Sequence, residues 1–448
     1  MSKIHRNSMA KSTRTVVMHG TVFVTVTILL FSMPSMLTQQ PYFAHAGTCV
    51  GYDQTKNTIT ITCDASFRDI VQAVNDPSVL QELTDGGSGE YLLSTNLQVG
   101  DGATLSMGPN DIKWLKIAGG NGITINGKIQ IDGVKITSWD TENNSPVIEN
   151  DVGTVPRAFI NLLVSEGGFI RNSEIAYLGY DELPRRGIDL GTAASEPSHD
   201  FAIRNSKVHD NWMGFFSAGA YNILIDGSEF YGNIKYGIDP HTGTHNMTVS
   251  NNKIYNNGGI GAICSDQCYD IIFEGNEVHD NSVAGLMFSR ATHDSIMRNN
   301  LIYSQQGAAV PISISESQNN KIYGNNISNS TEGVYIHNQS SGNMVYDNTF
   351  NNVENAIRTK ASTGNTLSNN HFHNVGENHY VMSSNAALDI QKQVFSSTNI
   401  RGGSGANTLS IGSSGTIIVD NNMRHNTDEQ PYTQVLSSED VSIDSASG

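Results

Sequence analysis

The chain has 448 residues, with 26 Lys+Arg against 43 Asp+Glu and a formal charge of −17. So acidic a composition argues against nucleic acid as a partner, because phosphate backbones are held by basic side chains. A polyanionic ligand would have to meet a local basic lining or a bridging cation.

Lys3, Arg6, Lys11 and Arg14 precede an apolar run from Thr21 to Met33, and Ala44-His45-Ala46 offers a small-residue cleavage site. This order predicts a secretory signal peptide over residues 1–46. An uncleaved N-terminal anchor is the alternative, and it is the one membrane contact the sequence suggests. The run is short for a full span. Either reading places the remainder outside the cytoplasm: secreted, periplasmic or on the cell surface. Residues 1–46 hold no acid, so losing their four basic residues takes the formal charge from −17 to −21. In an oxidising compartment the close pairs Cys49/Cys63 and Cys264/Cys268 can each close a short loop as a disulfide. Zinc or copper ligation is the rival, but no Cys/His cluster at metal spacing supports it. Asn246, Asn326, Asn329 and Asn338 stand in Asn-X-Ser/Thr sequences that permit glycosylation.

Residues 47–90 are expected to form an N-terminal cap. Within it residues 66–84 look helical, with Ser66 as N-cap and Ile70, Val71 and Val74 on one face. Such a segment would shield the open end of a stacked coil from pairing with another chain. Ile123 to Ser138 reads as two strands.

Between residues 170 and 372 nine segments repeat one pattern: apolar, any, Asn/Gly/Asp, Asn/Ser, any, apolar. Their third positions are 172, 205, 227, 251, 275, 299, 324, 347 and 369, so every step but one is 22 to 25 residues. A period in the low twenties with short alternating strands is the signature of a solenoid, in which stacked turns share one core. Asn and Gly at the third position fit a tight bend, because they tolerate positive φ. Stacked Asn side chains can also bond from rung to rung. Leucine-rich repeats have a similar length, but their Leu spacing and helices are missing. The predicted fold is all-β, a right-handed parallel β-helix over residues 91–385 with a short N-terminal helical cap. The single step of 33 holds an insertion near 179–197 with Arg185, Arg186 and Asp189, and such loops often overhang the binding face. Residues 386–448 are expected to form a C-terminal cap and an acidic, loosely ordered tail.

One turn contains Tyr236-Gly237-Ile238-Asp239-Pro240-His241. Residues two apart on a strand point the same way, so Asp239 and His241 share a face, roughly 7 Å apart. Equivalent positions of adjacent turns lie about 4.8 Å above and below. The repeat spacing puts Ser217 and Gly219 one turn before Asp239 and His241, Ile263 and Ser265 one turn after, and Met287 and Ser289 two turns after. Aligning Arg186-Gly187-Ile188-Asp189 with Tyr236 to Asp239 brings Arg186 and Asp189 onto the same face. Small neighbours would then leave a groove around His241. A lone His on a coil surface is ordinarily solvated decoration. Here Pro240 interrupts a strand at the cost of a ladder hydrogen bond, beside converging Tyr236, Asp239 and His241.

Tyr-Gly-Ile-Asp-Pro-His in a β-helix repeat of this length resembles the mannuronan (alginate) C-5-epimerases. Lys135-Ile136-Thr137-Ser138-Trp139-Asp140 and Ile175-Ala176-Tyr177-Leu178-Gly179-Tyr180 resemble segments of the periplasmic members. The likeness covers roughly residues 113 to 310. It implies an enzyme that removes the proton α to a uronate carboxylate and returns one to the opposite face of the ring. That chemistry needs a base of near-neutral pKa, an acid across the ring, and neutralisation of the carboxylate. By resemblance His241 is the base, Tyr236 the opposite-face donor, and Asp239 orients His241 or binds the carboxylate when protonated; the reverse assignment of Tyr236 and His241 is open. Two departures stand out. Thr242-Gly243-Thr244 replaces the acid, Arg and Ser that tend to follow the Asp-Pro-His motif, and Asp266 occupies the expected position of a neutralising Arg. Arg186, Lys235 or Arg290 could supply that cation, with Asp189, Ser265 and Asp266 as further candidate substrate contacts. The family often needs calcium, although no acidic calcium-loop consensus occurs; no other cofactor is implied. The same residues allow two rivals: a uronan lyase, which begins with the same proton removal, and a non-catalytic carbohydrate-binding or metalloenzyme-assembly solenoid.

Overall fold

In the computed structural model the described residues are 49–83, 89–148, 156–163, 166–191, 197–384 and 386–391, with short strands Ile400–Gly402, Thr408–Ile411 and Thr433–Leu436. The chain divides into two units, Met1–Tyr42 and Phe43–Gly448. The expected signal peptide or anchor lies outside the described residues. Among those residues no helix is long and apolar enough to cross a membrane.

The second unit is a parallel β-helix of about 12 turns. One turn shows how it is built. Strand Ile238–His241 lies on what we term the first face, His245–Ser250 on the second and Lys253–Tyr255 on the third. The chain then returns to the first face as Ile260–Ser265, and each strand pairs in parallel with its counterparts in the turns before and after.

The repeat pattern accounts for this winding residue by residue. All nine third positions have positive φ, from Asn205 at 47° to Gly324 at 65°, which is the left-handed bend that Asn, Asp and Gly adopt most readily. The apolar positions either side point inward: Ile203, Ile225, Val249, Phe273 and Met297 are fully buried in one stack, and Val208, Phe230, Ile254, Val278 and Ile302 in another. Each such side chain contributes about 1.5–3 kcal/mol on burial.

The position after the bend forms a buried ladder. Asn252, Asn276, Asn300, Asn325, Asn348 and Asn370 each pass a side-chain amide hydrogen bond to the next, at 2.9–3.1 Å. Their Oδ1 atoms also accept backbone N–H groups from the preceding turn. Asn211, Asn233, Asn257, Asn281 and Gln305 make a second ladder where the third face leads into the first. Buried amides are stable there only because every donor and acceptor is matched.

The ends differ from expectation. Helix Phe67–Val74 has the Ser66 N-cap, with a reciprocal Asp69 hydrogen bond, and buries Phe67 and Ile70. It ends at Asn75 in the left-handed conformation rather than running to residue 84, with Pro77 close behind and Leu80–Glu82 an antiparallel strand. Parallel stacking begins before residue 91, since Thr58–Ile61 already pairs with Asn96–Val99. It also continues past 385, through Ala387–Gln391, Thr408–Ile411 and Thr433–Leu436. There period-2 alternation keeps Leu388 and Ile390 inside. Ile123 to Ser138 holds three strands rather than two, Gly122–Ile125, Lys128–Asp132 and Lys135–Asp140, one for each face. Both expected cysteine pairs, Cys49–Cys63 and Cys264–Cys268, are disulfide-bonded.

Candidate active site

Gly237 is where the candidate motif enters the first face. A Cβ there would meet the Gly261 carbonyl oxygen at 2.5 Å, and Gly214, Gly261 and Gly285 are blocked by the next turn in the same way. This glycine column lets successive turns close tightly before each first-face strand. Ile238 and Pro240 then face inward, leaving Asp239 and His241 on the outer side. Toward the next turn only Ile238 and His241 pair, with Ala262 and Ser265, as expected where Pro240 lacks an N–H.

Toward the preceding turn the register is not the expected one. Phe216 lies opposite Asp239, Ser217 opposite Pro240 and Ala218 opposite His241, so Ser217 and Gly219 are each one residue out of place. Asn211 and Asn233 remain aligned, as do Phe215 and Ile238, so the extra residue falls in the bend Ile234–Gly237. That bend carries Lys235 and Tyr236. On the far side the expected neighbours hold: Ser265 pairs with His241, and Ile263 and Ser265 pair with Met287 and Ser289.

Tyr236 packs on an outer apolar cluster of Ile260, Ile263, Ala284 and Met287. Its ring occupies the space a Cβ at Gly259 would need, 2.8 Å away, and Lys235 Nζ stands 5.5 Å from the ring centre. Burial raises the Tyr236 hydroxyl above its ordinary value, and Asp239 adds to the rise.

Asp239 is 2 % exposed, and its Oδ1 has no hydrogen-bond partner among the described residues. Burial pushes its carboxyl up to about 8, against the opposing pull of Arg186, Lys235 and Arg290 in that order. Asp189 lies two rungs away in the same column, with Phe216 between them. It is also fully buried, accepts the Arg186 backbone N–H at 2.9 Å, and is pushed up to about 7 by burial. The Arg186 guanidinium lies 4.9 Å from the Phe216 ring centre. The structure thus brings Arg186 and Asp189, both from the insertion, to the motif.

His241 is partly exposed, its ring 5.7 Å from that of Phe216. Its Nδ1 is 2.5 Å from Thr242 Oγ1, which donates to Asp266 Oδ2 at 3.2 Å. Since the single hydroxyl proton goes to Asp266, Nδ1–H must donate to the hydroxyl, and Nε2 is left with its lone pair. Burial lowers the His241 pKa; Asp266 opposes this, while Arg290 and Arg186 reinforce it. Backbone bonds place Thr242, Asp266 and Arg290 on successive rungs of one corner. Asp266 therefore stands in the Nδ1 relay, and Arg290 acts on Tyr236, Asp239 and His241 together.

Phe216 and Thr242 were not among the sequence candidates. Aligning Gly214 with Gly237, rather than counting from the Asn/Gly bend, would have found Phe216; nothing local marked Thr242. Among the described residues no three His, Cys, Asp or Glu side chains are grouped to hold a metal ion.

The structure thus gathers a buried acid, a partly exposed imidazole, a phenol and three cations on one outer face of a solenoid. The family description "Right handed beta helix region" matches residues 186–350 and 310–426, and the chain belongs to that family. Its curated relatives include the mannuronan C5-epimerase AlgG of Azotobacter vinelandii, 28 % identical over 179 residues, or 37 % of this chain and 33 % of that protein. The mannuronan C5-epimerase of Pseudomonas putida is 27 % identical, over 37 % of this chain and 34 % of its own length. The chain thus spans about a third of the length of these relatives. Among solved structures, the periplasmic alginate epimerase AlgG superposes with a TM-score of 0.62 at 18 % identity, covering 85 % of each chain. The A-module of the Azotobacter vinelandii mannuronan C-5 epimerase AlgE4 gives 0.53 at 18 %, covering 70 % of this chain and 94 % of the other. These likenesses establish the fold.

Proposed function

We propose that this protein is an exported polysaccharide-modifying enzyme that epimerises β-1,4-linked uronate at C-5, converting mannuronate to guluronate. The observation that carries the reading is the arrangement on one face. Thr242 and Asp266 engage Nδ1 of His241 and leave Nε2 open, beside a buried Asp239 whose Oδ1 has no partner among the described residues and whose carboxyl burial pushes up to about 8. The similarity to mannuronan C5-epimerases supplies the substrate class.

In this mechanism the substrate carboxylate lies against Asp239, whose acid proton donates a hydrogen bond to it, with Arg186 and Arg290 compensating its charge. The C-5–H bond breaks as its proton passes to His241 Nε2, and the electron pair delocalises into the carboxylate as an enolate-like state. Tyr236 then donates its hydroxyl proton to C-5 from the opposite face, inverting that centre. Solvent reprotonates the phenolate and takes the proton from His241. Stabilising charge that develops only in the transition state is what lowers such a barrier. Exchanging the parts of Tyr236 and His241 runs the same chemistry from guluronate. Ser265 floors the trough beside His241, and Lys235 stands at its edge.

The reading further places the enzyme outside the cytoplasm, with the N-terminal helix closing the end of the coil. Its partner is an anionic polysaccharide and not nucleic acid. No cofactor takes part in the proton transfers; a calcium ion would serve only to hold substrate or fold.

The test is incubation with polymannuronate in D2O, reading C-5 deuterium and the sugar ratio by NMR. No uptake with any uronan refutes the proposal. Ultraviolet absorbance from unsaturated chain ends would instead identify a lyase, and polymer binding without either signal a non-catalytic solenoid.

A further inference from the structure

The column that contains His241 runs on along the first face through Ser265, Ser289 and Ser315 to His337, and then to Lys360. Four rungs separate His241 from His337, about 19 Å at 4.8 Å per rung. Beside the neighbouring outer column, which carries Ile263 and Met287 before Ser313, the intervening positions of this column are Ser265, Ser289 and Ser315, all under a tenth exposed. They make a low floor between two clusters of large side chains.

The second cluster is built. Tyr335 and His337 point outward from one strand with their rings stacked, centres 4.2 Å apart and planes within 10°. Ser313 Oγ fixes His337 at Nε2, 3.1 Å away. In the next turn Arg358 lies opposite Tyr335, its guanidinium carbon 5.5 Å from the ring centre, and Lys360 lies opposite His337. Arg358 is ion-paired with the buried Glu332, whose Oε2 has no partner among the described residues. The charges that reach the ring pair are Arg358, Lys360, Glu332 and Glu316. Arg358 offsets Glu332, and Lys360 is exposed with no ion-pair partner among the described residues.

We infer that Tyr335, His337 and Lys360 form a remote binding position for a uronate residue of the same polymer strand whose other residue lies at His241. This rests on the proposed substrate class. Each 1,4-linked pyranose advances the polymer by about one rung, so the strand would cross the serine floor and set a ring on the aromatic pair. Lys360 would take the carboxylate as a charge-assisted hydrogen bond. Tyr335 and His337 stack face to face on one strand, so they offer ring edges and an outer face from one side of the substrate rather than groups on opposite sides of its ring, and this position binds and does not epimerise.

The experiment titrates the full chain with oligomannuronates of two to ten units by calorimetry, with neutral 1,4-linked mannan oligomers as control. Affinity is expected to step up by roughly tenfold once the oligomer spans the four rungs, for the acidic series alone. The step should vanish in Lys360→Ala, an exposed change that leaves the core untouched, and in Tyr335→Ala, with folding checked by thermal melting. Absence of the step in the wild type, its persistence in Lys360→Ala, or an equal step with neutral oligomers overturns the inference. Deuterium exchange at C-5, run separately, tells its failure from that of the epimerase reading: the step without turnover leaves this position standing, and turnover without the step removes it.

Discussion

His241 reaches Asp266 through a third side chain: His241 Nδ1 and Asp266 Oδ2 are 3.9 Å apart, and the Thr242 hydroxyl bridges them. An acid orienting a histidine through a hydroxyl favours the tautomer with the proton on Nδ1, while its charge still acts on the imidazole from 3.9 Å. His241→Gln should therefore lower C-5 exchange by about 10²–10⁴-fold, the usual worth of a general base. The melting curve should not change, since the ring lies outside the core. Thr242→Val should cost roughly tenfold in kcat with little change in KM, on the scale of one lost hydrogen bond. Thr242→Ser, which keeps the hydroxyl, should retain the rate. Equal rates for Val and Ser would remove the relay from the mechanism.

Stability should fall with pH because of Asp239. Its folded pKa of about 8 lies above the ordinary 3.8, so between those values the folded protein holds a proton that the unfolded chain has released. Unfolding then releases a proton, and the slope of stability against pH is negative, up to about 1.4 kcal/mol per pH unit from this one group. Above about pH 8 the slope ends. Asp239→Asn mimics the neutral acid and should be more stable than the wild type by a margin that grows from pH 5 to pH 8. Thermal melts across that range decide it; a margin independent of pH contradicts the burial argument.

Activity should follow a bell whose limbs have different owners. The rising limb belongs to His241 losing its proton, and sits below the ordinary imidazole value because burial lowers it. The falling limb, near pH 8, belongs to Asp239 losing its proton. In Asp239→Asn the falling limb should disappear while the rising limb stays, measured as kcat/KM for polymannuronate.

How much of this was legible in the sequence depends on how local each cause is. The bends were legible because positive φ selects Asn, Asp and Gly, and the core because its residues alternate with polar ones. The pairing of His241 with Ser265 followed from a constant 24-residue step. Phe216 was hidden because one extra residue in the bend before Gly237 shifts the register on one side only. Thr242 was hidden because its importance is a three-body contact that spacing cannot encode. The helix was overextended because the apolar positions after Asn75 belong to a strand, and helix-like spacing over a few residues does not separate the two.

The Asn ladder should behave as one connected element. Asn276 accepts the backbone N–H and amide of Asn252 and donates to Asn300 and to the Val249 carbonyl. Asn276→Ala strands these buried groups on both adjoining turns, and should cost about 2–4 kcal/mol. Asn338, exposed on a corner, should tolerate Ala within about 1 kcal/mol. Denaturant unfolding of the two variants compares them directly.

Arg186 offers the sharpest test of which cation governs the acid. It heads the groups that draw the Asp239 pKa down, ahead of Lys235 and Arg290. Arg186→Gln keeps the backbone N–H that bonds Asp189 and removes only the guanidinium charge. The Asp239 pKa should then rise further, and the falling limb of the kcat/KM profile should move to higher pH. The same change made in the Asp239→Asn background should leave that side of the profile where it was, because nothing remains there to titrate. Lys235→Gln should move the limb less, because its ammonium ranks behind Arg186 in acting on the acid. A larger shift from Lys235→Gln than from Arg186→Gln would transfer the role to the bend beside Tyr236.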